Sequence, residues 1–242
     1  MKLVNTFTLL AIISINALAN ILPINGVTTG EVSALYDNYF TPAGFTFSIW
    51  SVIYLGLVVF VVYQFTSRNF NAESLGYLFL INGLANVSWI VVWHYGYLIL
   101  SVLIMGVLLF SLIKINEAAS SASRFVRLPF QIYLGWVCVA TVANIAVCLK
   151  YLNVDFPVDE IIFGGAMVVI AGSIGLILLF KKGWAPSTLA IAWGIWGIYN
   201  KQKFLEQAQD YQMLCLVVCM LLSVASIAYP IIKLRRQHVQ SS

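Results

Sequence analysis

Three stretches of the sequence carry aromatic and amide residues at helical spacing. The first, TPAGFTFSIWSVIY at residues 41–54, places Phe47, Trp50 and Tyr54 along one side of a helix. The other two faces hold Asn82, Asn86, Trp89 and Trp93, and then Tyr133, Trp136, Ala140 and Asn144. Deep rings with a few amides are typical of a pocket for a flat apolar ligand. The candidate ligand-binding residues are Phe47, Trp50, Tyr54, Asn86, Trp89, Trp93, Trp136, Ala140 and Asn144.

A purely structural interpretation of these residues stays open. Asn86 and Asn144 would serve equally as hydrogen-bonding groups between helices, because an unpaired amide in hydrocarbon costs several kcal/mol. Interfacial tryptophan belts suit Trp184, and in part Trp93 and Trp196. They suit Trp50 and Trp136 poorly, because both lie deep in their segments. We expect these faces, and a fourth with Trp193, Trp196 and Asn200, to point into the protein rather than toward lipid.

Reactive chemistry is not expected from the same segments. No Asp, Glu, Lys or Arg falls inside an apolar segment, which argues against an ion-coupled pump or a retinal protein. Cys215 and Cys219 share a helix face, but no histidine joins them to complete a metal site. His94 ends its segment and is expected to be interfacial. We predict no enzyme activity, no cofactor and no metal.

The elements that position these residues are membrane helices. The chain has 242 residues, 61% hydrophobic and 9% charged, whereas soluble domains have about 45–50% and about 25%. Its apolar runs are continuous and near the about 20 residues that cross a bilayer as a helix. We predict an all-α polytopic membrane bundle of about eight transmembrane helices. The predicted spans are residues 5–24, 43–66, 75–94, 97–114, 127–149, 160–180, 184–200 and 211–232.

Charge orients these spans. Ten of the 13 basic residues fall on one side of the predicted spans, and only Lys150, Lys201 and Lys203 fall on the other. The positive-inside rule then places both termini in the cytoplasm, and the expected location is a bacterial cell (inner) membrane. The basic tail KLRRQHVQSS is explained by this topology, so no nucleic-acid partner is expected.

The N-terminus has two interpretations. MKLVNTFTLLAIISINALA has a lysine, an apolar core and an ALA ending at Ala19, which is also the pattern of a cleaved signal peptide. Cleavage there would leave seven spans and the same orientation for the rest. We favour a retained helix.

The three stretches also resemble a known family. TPAGFTFSIWSVIY, LANVSWIVVW and RLPFQIYLGWVCVATVAN occur in order. They resemble three blocks of the tryptophan-rich sensory protein family, TspO, whose animal relatives are the mitochondrial translocator proteins. The matching residues are Trp50, Tyr54, Asn86, Trp89, Leu128, Pro129, Phe130, Trp136, Ala140 and Asn144. Pro42 stands alone where the family has two prolines, and Phe47 is one residue closer to Trp50 than the family spacing.

The resemblance implies an organisation and a ligand class. It covers residues 5–153, so we predict a TspO-like five-helix domain over residues 1–153 and an additional three-helix extension over 154–242. The family's ligands are porphyrins and sterols, bound under the loop between the first two spans. That loop, residues 23–42 with Phe40 and Pro42, has no evident regular structure and is expected to act as a lid. Pro42 is expected in the first turn of the following helix.

Three functions are consistent with these features. The leading one is a membrane sensor, receptor or carrier that binds a porphyrin or sterol-like molecule in the aromatic pocket, with the lipid bilayer and a second copy of the chain as further partners. The second is a small facilitative transporter for an uncharged or amphipathic solute. The third is a non-catalytic assembly protein with a packed aromatic core. Porphyrin degradation has been proposed for the family, but no residue here supports it.

Overall fold

The computed structural model of the chain describes residues 1–21, 24–67, 73–154 and 158–241, with the side chains of residues 73, 74 and 236–241 not included. Within these ranges the structure is helical and contains no strand. Pro23 of the predicted lid and the predicted cytoplasmic residue Arg68 lie outside the described residues. The helices are α1 (Lys2–Ile21), α2 (Thr29–Leu35), α3 (Ile49–Thr66), α4 (Glu73–His94), α5 (Leu98–Ala118), α6 (Arg124–Tyr151), α7 (Glu160–Ile177), α8 (Ala185–Gln202) and α9 (Gln209–Ser241).

Seven helices in the described part of the chain, α1, α3 to α7 and α9, are long and apolar enough to cross a membrane. The predicted all-α polytopic membrane fold is therefore confirmed. The predicted span at residues 184–200 is present as α8, but α8 is not one of the seven. Its 18 residues match α3 and α7 in length, but α8 ends in Asn200, Lys201 and Gln202, which leaves an apolar stretch shorter than the about 20 residues that cross a bilayer. Membrane crossing by α8 stays a prediction.

The chain forms two compact units. The first unit consists of Met1–Asp37 and Phe47–Asp155, and the second unit consists of Asn38–Thr46 and Phe156–Ser242. The segment before α3 thus belongs with the C-terminal helices, although the helix that follows it belongs to the first unit.

The first unit is built around α6. In α6, 67% of the most apolar 18-residue window is buried, against 33% in α1 and in α3, so α6 is the central helix. It packs against α3 and α5, while α4 packs against α1 and α5. Phe60, Phe79 and Phe130, from α3, α4 and α6, form a mutual edge-to-face group with ring centroids 5.0–5.6 Å apart. Such aromatic groups stabilise the packing of helices through the apolar area that they bury and through the geometry of their ring contacts.

The second unit contains α7, α8 and α9, with α9 packed against both of the others. A Cβ atom at Gly172 of α7 would lie 2.7 Å from Val218 of α9, so the absence of a side chain permits this close approach. The segment 38–46 is held by the same helices, because the Ala43 amide donates to the Gly197 carbonyl over 3.1 Å.

Pro42 does not occupy the first turn of a helix as predicted. A 3-10 turn at Gly44–Ser48 follows it, and the α-helix begins only at Ile49. The Ala43 carbonyl accepts from the Thr46 amide, three residues later, over 3.0 Å. This spacing makes the turn after Pro42 a 3-10 turn, because an α-helix would bond the carbonyl to the amide four residues later.

The first prediction concerns retention of α1. Asn5 on α1 donates to Gln64 on α3 over 2.9 Å, and both side chains are buried. Cleavage after Ala19 would leave Gln64 without this partner in an apolar environment, which is costly. We expect the intact mass of the purified protein to include residues 1–19. A mass lacking them would establish the signal-peptide interpretation.

The second prediction concerns topology. Reporter fusions should place residues 115–123 and the C-terminus in the cytoplasm and residues 24–42 outside, because of the uneven distribution of Lys and Arg. The C-terminal fusion also tests α8, since a C-terminus outside the cell together with residues 115–123 inside would mean that α8 does not cross. A cytoplasmic signal from residues 24–42 would reverse the whole orientation.

Candidate functional site

The aromatic residues of α3 and α6 meet in one cluster of the first unit. Trp50 stacks on Tyr54 with ring centroids 5.5 Å apart. Its ring also makes edge contacts with Tyr133 at 5.5 Å and with Trp136 at 6.4 Å. Phe47 adds an edge contact with Trp136 at 5.6 Å. Ring pairs of this geometry contribute about 0.5–1.5 kcal/mol each beyond area burial, so the cluster is a defined arrangement and not a loose accumulation of rings.

A buried chain of hydrogen bonds joins α1, α4 and α6 beside this cluster. Asn16 Nδ2 donates to Asn86 Oδ1 over 2.8 Å, and Asn86 Nδ2 donates to the Tyr133 hydroxyl over 2.8 Å. All three side chains are buried. Because Tyr133 also contacts Trp50, the amide chain and the aromatic cluster share a residue.

A second buried chain joins α4, α5 and α6. Trp89 Nε1 donates to Asn144 Oδ1 over 3.1 Å, and Asn144 Nδ2 donates to Ser101 Oγ over 2.9 Å. Trp93 stacks on Trp89 with centroids 5.3 Å apart. The amide groups of Asn86 and Asn144 are therefore both occupied by hydrogen bonds between helices, in agreement with the structural interpretation of these two residues.

Burial divides the candidate residues into two groups. Five of them are buried, and four are only half-buried. The buried group is Asn86, Trp89, Trp93, Trp136 and Asn144, and the half-buried group is Phe47, Trp50, Tyr54 and Ala140. The surface that a ligand could reach without repacking is thus formed mainly by the rings of Trp50 and Tyr54 on α3 and of Phe47 in the turn before it, above a buried and hydrogen-bonded base.

The first part of the predicted lid is ordered and contacts the C-terminal end of α4. It contains α2, which the sequence analysis did not predict. Trp93 Nε1 donates to the Thr29 carbonyl over 3.2 Å, and Asn25 Nδ2 donates to the His94 carbonyl over 3.1 Å. His94 is 2% exposed, so the expectation that it is interfacial is wrong, and the reason is that this loop covers it.

The same part of the loop also contacts the end of α6. Lys150 donates its ammonium group to the Asp37 carbonyl, and Tyr36 meets Tyr151 edge-on with centroids 5.9 Å apart. Residues 24–37 therefore bridge the adjoining ends of two helices that carry candidate ligand-binding residues.

The sequence itself accounts for α2. Thr28 and Glu31 form a capping box, in which the Thr28 amide donates to the Glu31 carboxylate over 2.7 Å and the Glu31 amide donates to the Thr28 hydroxyl over 3.3 Å. Hydrogen bonds from the Thr28 amide and hydroxyl lower the pKa of Glu31. The bond from the Thr28 amide to the carboxylate is consequently made at neutral pH and weakens when the carboxylate becomes protonated in acid, while the bond from the Glu31 amide to the Thr28 hydroxyl does not depend on that charge.

The two residues proposed for the lid, Phe40 and Pro42, lie in the segment 38–46 of the second unit. Both are buried. In that unit Trp193 Nε1 donates to the Thr46 carbonyl over 2.9 Å. The loop is therefore divided at Asp37, and a lid role of Phe40 and Pro42 stays a prediction.

Two tryptophans lie elsewhere than expected. Trp184, expected in an interfacial belt, is 6% exposed, whereas Trp196, expected to point inward, is 39% exposed. Trp196 stacks on Tyr199 of its own helix with centroids 5.4 Å apart, so its ring is accommodated without a neighbouring helix.

The sequence analysis left three residues out of the candidate site that the structure places in it: Asn16, Ser101 and Tyr133. Asn16 could have been found, because Asn5, Thr8, Ile12 and Asn16 share one helix face and lone amides in an apolar helix need partners. Ser101 gives no comparable signal, since a serine can satisfy its hydroxyl within its own helix.

The sequence model of the TSPO-like protein family matches residues 2–229 of the chain. The chain belongs to this family. The resemblance noted in the sequence covers residues 5–153. The match to the family model extends further and includes α7, α8 and much of α9 of this TSPO-like protein. Together with its seven long apolar helices, it identifies the chain as an integral membrane protein. No curated protein and no solved structure matches the chain.

The third prediction tests the buried amides of the TSPO-like protein. Asn86→Leu should leave Asn16 and Tyr133 without their shared partner, and Asn144→Leu should do the same to Trp89 and Ser101. An average hydrogen bond between membrane helices contributes about 0.6 kcal/mol, and stranding a buried partner raises the loss to about 1–3 kcal/mol. Thermal unfolding in detergent should show a lower midpoint for each variant.

The matched control is Asn200→Leu, because the hydrogen bonds of Asn200 are local: its amide group donates to the Trp196 carbonyl one turn earlier and its oxygen accepts from Lys203 three residues later. Its unfolding midpoint should stay close to that of the unmodified protein. Equal midpoints for all three variants would show that the two buried chains do not hold the helices together.

Proposed function

We propose that this TSPO-like protein is a receptor or carrier that binds a flat apolar molecule, a porphyrin or a sterol-like compound, against Phe47, Trp50 and Tyr54. The observation that carries the proposal is the half-buried state of these rings over a buried base formed by Trp136 and Tyr133. Half-buried aromatic faces in contact with one another offer a broad apolar surface. A planar ligand can cover such a surface without displacing the helices.

The hydrogen bonding beneath this surface supports an apolar ligand. Asn86 donates to Tyr133, and the oxygen and nitrogen of the Asn144 amide both have partners on neighbouring helices. A ligand therefore does not need to satisfy these buried polar groups. Its affinity would come from shape and ring contact, which is typical of pockets with few polar anchors.

The loop of residues 24–37 is the proposed cover. Its contacts with α4 and α6 include the hydrogen bonds from Trp93 to Thr29 and from Lys150 to Asp37 and the ring contact of Tyr36 with Tyr151. Each net hydrogen bond contributes about 0.5–1.5 kcal/mol, so no single contact fixes the loop. Such a loop can open to admit a ligand and close over it.

Binding without chemical conversion completes the proposal. The nine candidate residues carry indole, phenol, phenyl, amide and methyl groups, with no carboxylate, thiol or imidazole among them. Imidazole, carboxylate and thiol groups are those that acid–base and nucleophilic catalysis use most, and the Tyr54 phenol is the one group among the nine with comparable chemistry. The proposed receptor lies in a bacterial inner membrane with cytoplasmic termini, as the distribution of Lys and Arg supports, and acts as a monomer or homodimer without a nucleic-acid partner.

The fourth prediction tests the binding surface. A free-base porphyrin absorbs where tryptophan emits, so its binding near Trp50 and Trp136 should quench intrinsic fluorescence saturably. Trp50→Leu and Trp136→Phe should each weaken binding by about two- to tenfold, since an aromatic contact contributes about 0.5–1.5 kcal/mol beyond area burial. The dissociation constant from titration of the detergent-solubilised protein is the measurement.

Trp196→Leu is the control, because Trp196 belongs to the second unit and is 39% exposed. It should remove part of the fluorescence without changing the dissociation constant. Quenching that rises linearly, or equal losses of affinity in all three variants, would indicate partitioning into detergent and would leave the aromatic cluster as a packed core. Saturable flux of the porphyrin into protein-containing liposomes would show transport in addition to binding.

A further inference from the structure

A second apolar surface of the first unit lies between α3 and α6. It is an open groove with a volume of about 400 Å³, which is within the about 300–1,000 Å³ of ordinary ligand sites. Its lining residues are Val52, Leu55, Gly56, Val59, Arg124, Phe125, Leu128, Pro129 and Ile132. None of them belongs to the aromatic cluster, so the groove is independent of the proposed function.

The groove results from the close approach of α3 and α6 at Gly56. A Cβ atom at Gly56 would lie 3.0 Å from the Cβ atom of Pro129, so these two small side chains form a low floor where the helices touch. Larger side chains, such as Leu55 and Leu128, line the two sides of the groove and are exposed. The groove runs about 10 Å along α3, from Val52 to Val59. This is also the direction along which the acyl chains of a bilayer lie.

The groove has a single charged residue, Arg124, at one end. Arg124 is exposed and is the first residue of α6. The 28 residues of α6 extend about 42 Å, well beyond the about 30 Å hydrocarbon core, so this end of the helix reaches the headgroup region. The ion pair found among the described residues joins Lys114 to Glu117 and does not involve Arg124. The guanidinium of Arg124 lies over the Phe125 ring. The positive end of the α6 dipole adds to the charge at this point.

We propose that the groove binds one anionic phospholipid, with its phosphate group at Arg124 and an acyl chain along Gly56 and Pro129. The protein is an integral membrane protein, so its exposed apolar groove faces lipid, and the single cation at its end selects a negatively charged headgroup. Basic positions beside transmembrane helices attract anionic lipids, with a contribution per Arg that corresponds to about fivefold in affinity.

Native mass spectrometry of the full-length protein tests this proposal. The protein is released from detergent in the presence of equal amounts of phosphatidylglycerol and phosphatidylcholine. We expect one phosphatidylglycerol molecule to be retained preferentially. Arg124→Gln should reduce that adduct about fivefold, whereas Arg127→Gln, on the same helix but outside the groove, should leave it nearly unchanged.

A second pair of variants tests the apolar part of the site. Leu128→Trp fills the groove and should also reduce the adduct, while Leu100→Trp places the same ring on an exposed position of α5 outside the groove and should not. Thermal unfolding of each variant checks that the fold is intact. Equal retention of both lipids, equal effects of the two arginine variants, or a dimer that excludes lipid and is lost in Leu128→Trp would each overturn the proposal, the last in favour of a second copy of the chain.

Discussion

The first unit depends on one constraint, which is that polar side chains inside an apolar bundle must hydrogen-bond to one another. Asn86 on α4 reaches α1 and α6 at once, through Asn16 and Tyr133, and Asn144 on α6 reaches α4 and α5 through Trp89 and Ser101. Apolar contacts in a membrane discriminate weakly between faces of a helix, because lipid is as apolar as leucine. The amides therefore determine which faces turn inward and, with them, where the aromatic rings meet.

This constraint also links the site to the fold. Tyr133 accepts the hydrogen bond of Asn86 and contacts the ring of Trp50, so the residue that completes the amide chain also supports the half-buried aromatic surface. The proposed binding surface is preorganised in this way, which would lower the conformational cost of binding. In the proposed binding mode the polar base acts through the position of the rings and not through direct polar contact with the ligand.

Much of this arrangement could be predicted from the sequence, and the exceptions have physical reasons. The stripes of α3, α4 and α6 follow from helical spacing and from the cost of a buried amide, and the helix bounds follow from hydropathy. The helix α2 was missed because its seven residues are too few for periodicity, although Thr28 and Glu31 show the capping-box pattern. The inward position predicted for Trp196 is wrong because an indole ring has no strong preference between lipid and the protein interior. The amide of an asparagine such as Asn200, which shares the predicted face, does need a hydrogen-bond partner.

The segment 38–46 has a consequence for the order in which the chain folds. Its partners come from the C-terminal helices, and the hydrogen bond from Trp193 to Thr46 spans 147 positions. During synthesis the N-terminal helices emerge first, and Thr46 has to wait until Trp193 has left the ribosome. Contacts of such high sequence separation form late. The segment 38–46 therefore cannot pair with the second unit before α8 has been synthesised, and a nascent chain that stops before α8 lacks the partners of Ala43 and Thr46.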